Sequence, residues 1–80
     1  MKNQLSVSTG IAEALQKAGG QARLAWCLGV TQQSISIWLK RGYVPLLRAR
    51  EIEMIYGVAR QRLVSPKVRH AMNLNSEGDL

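Results

Sequence analysis

Two adjacent side-chain amides, Gln32 and Gln33, are well suited to recognising another molecule, and Ser36 and Ile37 follow one turn later. An amide can pair bidentately with N6 and N7 of adenine, a serine hydroxyl can reach a base edge, and an isoleucine favours a thymine methyl group. These four residues predict a base-reading surface if a helix presents them to a duplex. The alternatives are solvated polar residues for the amides and a surface hydrophobe or protein contact for Ile37.

Basic residues flank this stretch on both sides. The 16 residues from Leu24 to Leu39 carry no charge, whereas Arg23 precedes them and Lys40 and Arg41 follow them. This layout is expected if the middle reads bases and the ends hold the phosphate backbone. Basic residues in a last helical turn also favour the helix dipole, which does not exclude a phosphate contact. The predicted phosphate contacts are Arg23, Thr31, Ser34, Lys40, Arg41 and Tyr43.

A helix-turn-helix is predicted to position these side chains. The apolar period favours helices over Gln21–Leu28 and Gln32–Arg41, joined by Gly29, Val30 and Thr31. Gly29 suits the positive φ angle that ends the first helix, and Thr31 is a good N-cap for the second. We expect Val30 to fill the space beneath the turn.

The packing of the two helices is predicted from one small residue and three apolar ones. Ala25 should lie where the helices cross, because only a small side chain lets the backbones approach closely. Ile35, Trp38 and Leu39 share one face of the second helix and should point at the first. Trp26 is also expected in the core, with a partner contact as the alternative.

Three further helices are predicted around this motif. The first begins at Ser8 or Thr9 and ends at Ala18, before Gly19 and Gly20. The fourth runs from Pro45 or Leu46 to Tyr56, and a fifth covers residues 66–72. The predicted buried stripes are Ile11, Leu15 and Ala18 on the first helix and Ala49, Ile52, Ile55 and Tyr56 on the fourth.

Composition and charge limit the function. Eighty residues suffice for one small core, and the net charge is +6. Without residues 75–80 the chain has 11 basic and 3 acidic residues, a net charge of +8. A domain this basic is expected to bind polyanions, nucleic acid before an acidic membrane surface.

Several function classes find no support in the sequence. No Ser/His/Asp set, carboxylate pair, phosphate-binding glycine loop or metal-ligand spacing is readable, so we expect neither an enzyme nor a cofactor or metal. Cys27 cannot form an intrachain disulfide and is predicted to be a buried or half-buried small hydrophobe. Because neither a signal peptide nor a membrane span is readable, we expect a soluble cytoplasmic protein.

The predicted organisation has four parts. Residues 1–7 form a flexible arm, residues 8–57 the helix-turn-helix domain, residues 58–74 a C-terminal segment, and residues 75–80 a disordered tail. In the third part Arg60, Arg62, Lys67 and Arg69 alternate with Leu63, Val64 and Val68. The candidates for a dimer surface are Val58, Leu63, Val64, Val68 and Met72, because a monomer this small need not cover them all.

The motif resembles the helix-turn-helix of lambdoid phage Cro and repressor proteins. The run from Ala18 through Lys40, Arg41 and Gly42, with Val44 and Pro45, is similar to the Cro-like YdaS family of prophage regulators. The resemblance implies a lambda-repressor-like all-α bundle of four or five helices and a transcriptional repressor that binds operator DNA as a homodimer or higher homo-oligomer. It also implies a phosphate contact for Gln21, at a helix N-terminus suited to an anion.

A different class of function stays open beside the repressor. An antitoxin-like module would neutralise a toxin partner through residues 58–72 and would use DNA only to autoregulate its operon. The association of the YdaS family with toxin–antitoxin loci makes this alternative plausible. A stable protein partner would distinguish it from a repressor.

Overall fold

The computed structural model describes residues 9–78, with side chains through Leu74. This part of the chain is all-helical and contains no strand, which confirms the predicted fold class. The predicted arm over residues 1–7 lies outside the described residues, as do residues 79 and 80. In chain order the elements are α1 Gly10–Ala18, α2 Gln21–Leu28, α3 Gln32–Arg41, α4 Leu46–Tyr56, the 3-10 turn Arg60–Arg62 and α5 Pro66–Gly78.

Hydroxyl side chains cap three of the helices at their N-termini. Thr9 Oγ1 accepts a hydrogen bond from the Ala12 N–H at 3.2 Å, and Thr31 Oγ1 accepts one from the Ser34 N–H at 3.1 Å. Ser65 Oγ accepts from the Val68 N–H at 3.2 Å. Each bond satisfies a backbone donor that has no partner within its helix, and the cap predicted at Thr31 is confirmed.

The core draws a side chain from every layer of the bundle. Ile11, Leu24, Ile35 and Ile52 come from α1 to α4, Leu63 follows the 3-10 turn, and all five are completely buried. Burying a side chain of this size contributes about 1.5–3 kcal/mol. Helices α1 and α4 and the C-terminal segment therefore pack together against the buried side of the helix-turn-helix.

The C-terminal segment belongs to this same core. Val58, Leu63 and Val64 are at most 3% exposed, and the Val44 N–H donates to the Leu63 carbonyl oxygen at 2.7 Å. The prediction that these three residues form a dimer surface is wrong, because the chain's own helices cover them. Val68 and Met72 are partly buried against the core in the same way.

Helix α5 is longer than the sequence predicted. We expected it to end near Met72, but it continues to Gly78. No glycine or proline occurs between Met72 and Gly78, so nothing there interrupts the helix. Within the described residues, none of the helices is both long and apolar enough to cross a membrane.

Three side chains that were expected inside lie at the surface. Trp26 is 86% exposed and Ile55 is 49% exposed, and Cys27 is exposed as well. Ile55 lies about 120° around the helix axis from Ala49, so it turns away from the face that Ala49 and Ile52 bury. Trp26 lies about 160° around the axis of α2 from the buried Leu24, so it points away from the core.

Tyr56 joins α4 to two neighbouring helices. A hydrogen bond with the Cys27 thiol, followed by burial, raises the pKa of the Tyr56 hydroxyl. Lys17 Nζ on α1 donates to the Tyr56 carbonyl oxygen at 3.1 Å.

Gly10 permits a close approach between α1 and the 3-10 turn. A Cβ atom there would lie 2.6 Å from the Arg62 carbonyl oxygen, a distance that backbone atoms cannot tolerate without moving. The start of α1 thus rests directly on the backbone of Arg62. The Val44–Leu63 hydrogen bond fixes the other side of the same turn.

Replacing Gly10 by alanine is expected to lower the free energy of unfolding by about 1–3 kcal/mol, the usual effect of overpacking. Urea denaturation followed by circular dichroism measures the loss, and amide chemical shifts of Arg62 and Leu63 should move. Gly29→Ala is the control: it strains a positive φ angle with no atom within 4 Å, so it should destabilise without moving those shifts. Unchanged stability of Gly10→Ala would contradict the close approach.

Candidate nucleic-acid interface

Helices α2 and α3 pack through Ala25, Ile35 and Trp38, which the sequence assigned to their contact, and also through Leu28. Ala25 and Leu28 on α2 are 4% and 6% exposed, and Ile35 and Trp38 on α3 are 0% and 7% exposed. Gly29 ends α2 with φ +71°, and its N–H bonds back to the Ala25 and Trp26 carbonyl oxygens. The predicted helix-turn-helix is therefore present, with its turn at the predicted residues.

The amide end of α3 is open to solvent. Gln32 and Gln33 are both exposed, and neither side chain has a hydrogen-bond partner in the described part of the chain. Ile37, one turn after Gln33, is 49% exposed, and Lys40 is exposed one turn further on. Spacings of four and three residues place Gln33, Ile37 and Lys40 on a single face of the helix.

Ser36 is used inside the motif. Its hydroxyl donates to Gln21 Oε1 at 3.2 Å and so joins α3 to the N-terminus of α2 in a partly buried position. Because the proton of Ser36 is committed, this side chain could meet a base only as an acceptor. The Gln21 Nε2 group keeps its hydrogens and makes no bond to the described residues, so it can donate to an anion.

Thr31 and Ser34 form a pair at the start of α3. Besides capping the Ser34 N–H, the Thr31 hydroxyl donates to Ser34 Oγ at 3.1 Å. The Ser34 hydroxyl accepts that bond and retains its own proton. Of the two, Ser34 is therefore the one able to donate to a phosphate, while Thr31 keeps α3 in place.

Two further basic candidates, Arg23 and Arg41, are exposed on either side of this face in the sequence. Arg23 is exposed, and its stem lies along Gly19, where a Cβ atom would be 3.3 Å from Arg23 Cδ. Arg41 lies over the Tyr43 ring, with Cζ 4.5 Å from the ring centroid, and its Nε donates to the Tyr43 carbonyl oxygen at 3.2 Å. That stacking orients the Arg41 guanidinium without neutralising it.

Each carboxylate with a described side chain is already paired. Glu13 lies beside both Lys17, at 3.6 Å, and Arg62, while Glu51 pairs with Arg48 at 2.9 Å and Glu53 with Arg60. Both acidic residues of α4 are thus held in ion pairs. Among the described side chains, the cations left without an acidic partner are Arg23, Lys40, Arg41, Arg50, Lys67 and Arg69.

Arg48 has a role that the sequence did not reveal. Besides its ion pair with Glu51, its Nη1 donates to the Leu28 carbonyl oxygen at 3.0 Å. This bond satisfies a carbonyl at the C-terminus of α2 and attaches α4 to the helix-turn-helix. Sequence spacing could not show it because the two residues are 20 positions apart.

The His, Cys, Asp and Glu side chains of the described residues are spread over the fold. Within the described residues, no three His, Cys, Asp or Glu side chains form a group that could hold a metal ion.

The family model described as bacterial toxin YdaS matches residues 11–64. The chain belongs to the YdaS family. The matched region runs from α1 through the 3-10 turn to Val64, so it includes the whole helix-turn-helix and leaves α5 outside. Comparisons with curated proteins and with solved structures gave no match.

The pairing of Glu13 generates a pH prediction. The hydrogen bond from Arg62 is the main cause that lowers the Glu13 pKa below its ordinary value of 4.5, with Lys17 adding to the effect. A lowered carboxyl pKa stabilises the fold above the ordinary pKa, and that contribution is lost as the pH falls through the lowered value. Glu13→Gln should therefore be less stable than wild type at neutral pH and equally stable in acid.

Thermal unfolding of both proteins across this pH range measures the difference. Glu51→Gln makes the same change of charge in a pair within one helix, and we expect a smaller loss because that pair joins no separate elements. A stability difference for Glu13→Gln that persists in strong acid would show that ionisation of Glu13 is not its cause.

Proposed function

We propose that the chain is a sequence-specific DNA-binding transcriptional regulator, a Cro-like repressor that reads the major groove with α3. The exposed amide end of α3 carries this proposal, because Gln32 and Gln33 are presented outward while the opposite face of the helix is buried. Helices of this motif enter the major groove with their N-terminal residues against base edges. The proposal includes no catalytic step, cofactor or metal, and it places the protein in the cytoplasm.

Base reading is assigned to the outward residues of α3. Gln32 and Gln33 would each pair with an adenine, and Ile37 would contact a thymine methyl group. Ser36 takes a lesser part than the amides, since its proton already bonds to Gln21. The absence of a hydrogen-bonding group at Ile37 favours A·T pairs beneath that turn.

Phosphate binding is assigned to the edges of the same face. The Gln21 amide, the Ser34 hydroxyl and the cations Arg23, Lys40 and Arg41 surround the base-reading residues along the chain, and Tyr43 supports Arg41. Because the described carboxylates are all paired elsewhere, these cations remain to neutralise phosphates. Affinity should then fall steeply with rising salt.

A homodimer or higher homo-oligomer on an inverted repeat is part of the proposal. One α3 helix contacts only a few base pairs, too few to select a site alone, and two such helices double the number. The contact between copies must use residues other than Val58, Leu63 and Val64, which are buried within one chain.

Replacing Gln33 by alanine tests the base-reading role. We expect the affinity for the preferred duplex to drop by about 1–3 kcal/mol, with the loss confined to the base pair that Gln33 contacts. Duplexes enriched from a random pool, each then altered at one base pair, supply the titration series. Gln16→Ala, an exposed glutamine on α1, should bind like wild type. Equal weakening for every duplex would refute base reading by Gln33.

A second candidate function is a protein-binding role in a toxin–antitoxin pair. The family description as a bacterial toxin favours it, and so does Trp26, whose large apolar side chain is 86% exposed. Exposed tryptophans are frequent anchors of protein contacts. The large apolar residues of the segment 58–72, to which the sequence assigned such a contact, are buried in the core or packed against it, so Trp26 is the better apolar candidate.

Induced expression in bacteria separates the two functions. If a protein partner mediates toxicity, growth inhibition should persist in Gln33→Ala and disappear in Trp26→Gln. If DNA binding causes the growth inhibition, Gln33→Ala should relieve the inhibition and Trp26→Gln should not. Growth unaffected by the wild-type chain would contradict the toxin function.

A further inference from the structure

A groove of about 470 Å³ lies beside the C-terminus of α3, apart from the amide face. Four elements meet there: the start of α1, the end of α3, the 3-10 turn and the start of α5. Its volume falls within the range of small-ligand sites, about 300–1,000 Å³. Three arginines line it, Arg41, Arg62 and Arg69, and no carboxylate-bearing residue does.

The groove keeps a net positive charge when the ion pairs of its arginines are taken into account. Glu13 lies against Arg62 and offsets that guanidinium, while Arg41 and Arg69 have no acidic partner among the described side chains. Only Nε of Arg41 donates to the Tyr43 carbonyl oxygen, so the two terminal nitrogens of Arg41 can donate to a ligand. Two guanidinium groups therefore remain for an anion.

Two helix N-termini reinforce this charge. Gly10, the first residue of α1, and Pro66, the first residue of α5, both line the groove. The N-terminus of a helix carries roughly half a positive elementary charge, which favours an anion nearby. The groove thus combines unpaired guanidinium groups with two helix dipoles of the same sign.

The walls of the groove are held in place before any ligand binds. Gly10 rests on the Arg62 carbonyl oxygen, so α1 and the 3-10 turn cannot separate without losing that contact. The Val44 N–H bond to Leu63 joins the connector after α3 to the same turn. Val64, buried at 3% exposure, supplies an apolar floor.

We infer that this groove binds a phosphate group, with Arg69 and Arg41 as its main ligands. The planar guanidinium fork matches phosphate oxygens bidentately, which makes arginine the preferred residue for such a site. Arg41 and Tyr43 also belong to the proposed DNA interface, so the groove continues that surface. Its phosphate is assigned to the backbone of the same duplex, and in this respect the inference rests on the proposed function.

Arg69→Gln tests the inference, with Arg50→Gln as its control. Both arginines are exposed and have no acidic partner among the described side chains, but Arg50 lies on α4 outside the groove. Duplex binding is measured as a function of salt for wild type and both variants. Arg69→Gln should weaken binding to every duplex and reduce the slope of log affinity against log salt by about 0.9, while Arg50→Gln matches wild type.

A second measurement distinguishes a backbone phosphate from a free one. Inorganic phosphate is titrated against chloride at constant ionic strength while the Gly10 and Gly42 amide shifts are followed. If the two variants bind duplex alike but phosphate shifts these amides saturably in wild type and not in Arg69→Gln, a free phosphate is the ligand. If neither measurement singles out Arg69, the inference is overturned.

Failure of the proposed function would look different. A wild-type chain that binds no duplex refutes the repressor, and the phosphate titration then decides the groove by itself. A wild-type chain that binds duplex while Arg69→Gln equals Arg50→Gln, with no saturable phosphate shift, refutes the groove alone.

Discussion

The contact between α2 and α3 is the constraint on which the rest of the structure depends. Ala25 allows the two helices to approach, and Ile35 and Trp38 fill the space between them and the core. Once this face of α3 is buried, its opposite face must be exposed, since a helix ten residues long has only two broad sides. The bond from Ser36 to Gln21 then fixes the rotation of α3 relative to α2. Presentation of Gln33 and Ile37 thus follows from packing.

The distribution of charge follows a similar logic. The carboxylates with described side chains sit on α1 and α4, where each is matched by a nearby cation, and none lies on α2 or α3. Surface pairs of this kind add little stability individually. On α2 and α3 no carboxylate lies beside Arg23, Lys40 or Arg41, so these three cations keep their positive charge.

Local sequence rules predicted the helix-turn-helix well, but they predicted poorly which side chains lie at the surface. The Thr31 cap, the turn at Gly29 and the outward amides depend on residues within a few positions, which spacing can reveal. The Ser36–Gln21 bond and the groove near Arg69 join residues distant in sequence, and no spacing predicts them. Trp26 was assigned to the core because it is apolar. Its exposure depends on which helices cover α2, and periodicity within α2 carries no such information.

The alternation of basic and apolar residues after Gly57 finds its explanation in the packing. Leu63, Val64 and Val68 turn inward and complete the core, while Arg62, just before them, and Arg69, just after them, line the groove. An apolar residue beside each arginine anchors the backbone, so the guanidinium groups are carried by a fixed surface and not by a loose tail. The same segment therefore completes the core and brings Arg62 and Arg69 to the groove that Arg41 of α3 also lines. A segment that only completed the core would need no arginines at these positions.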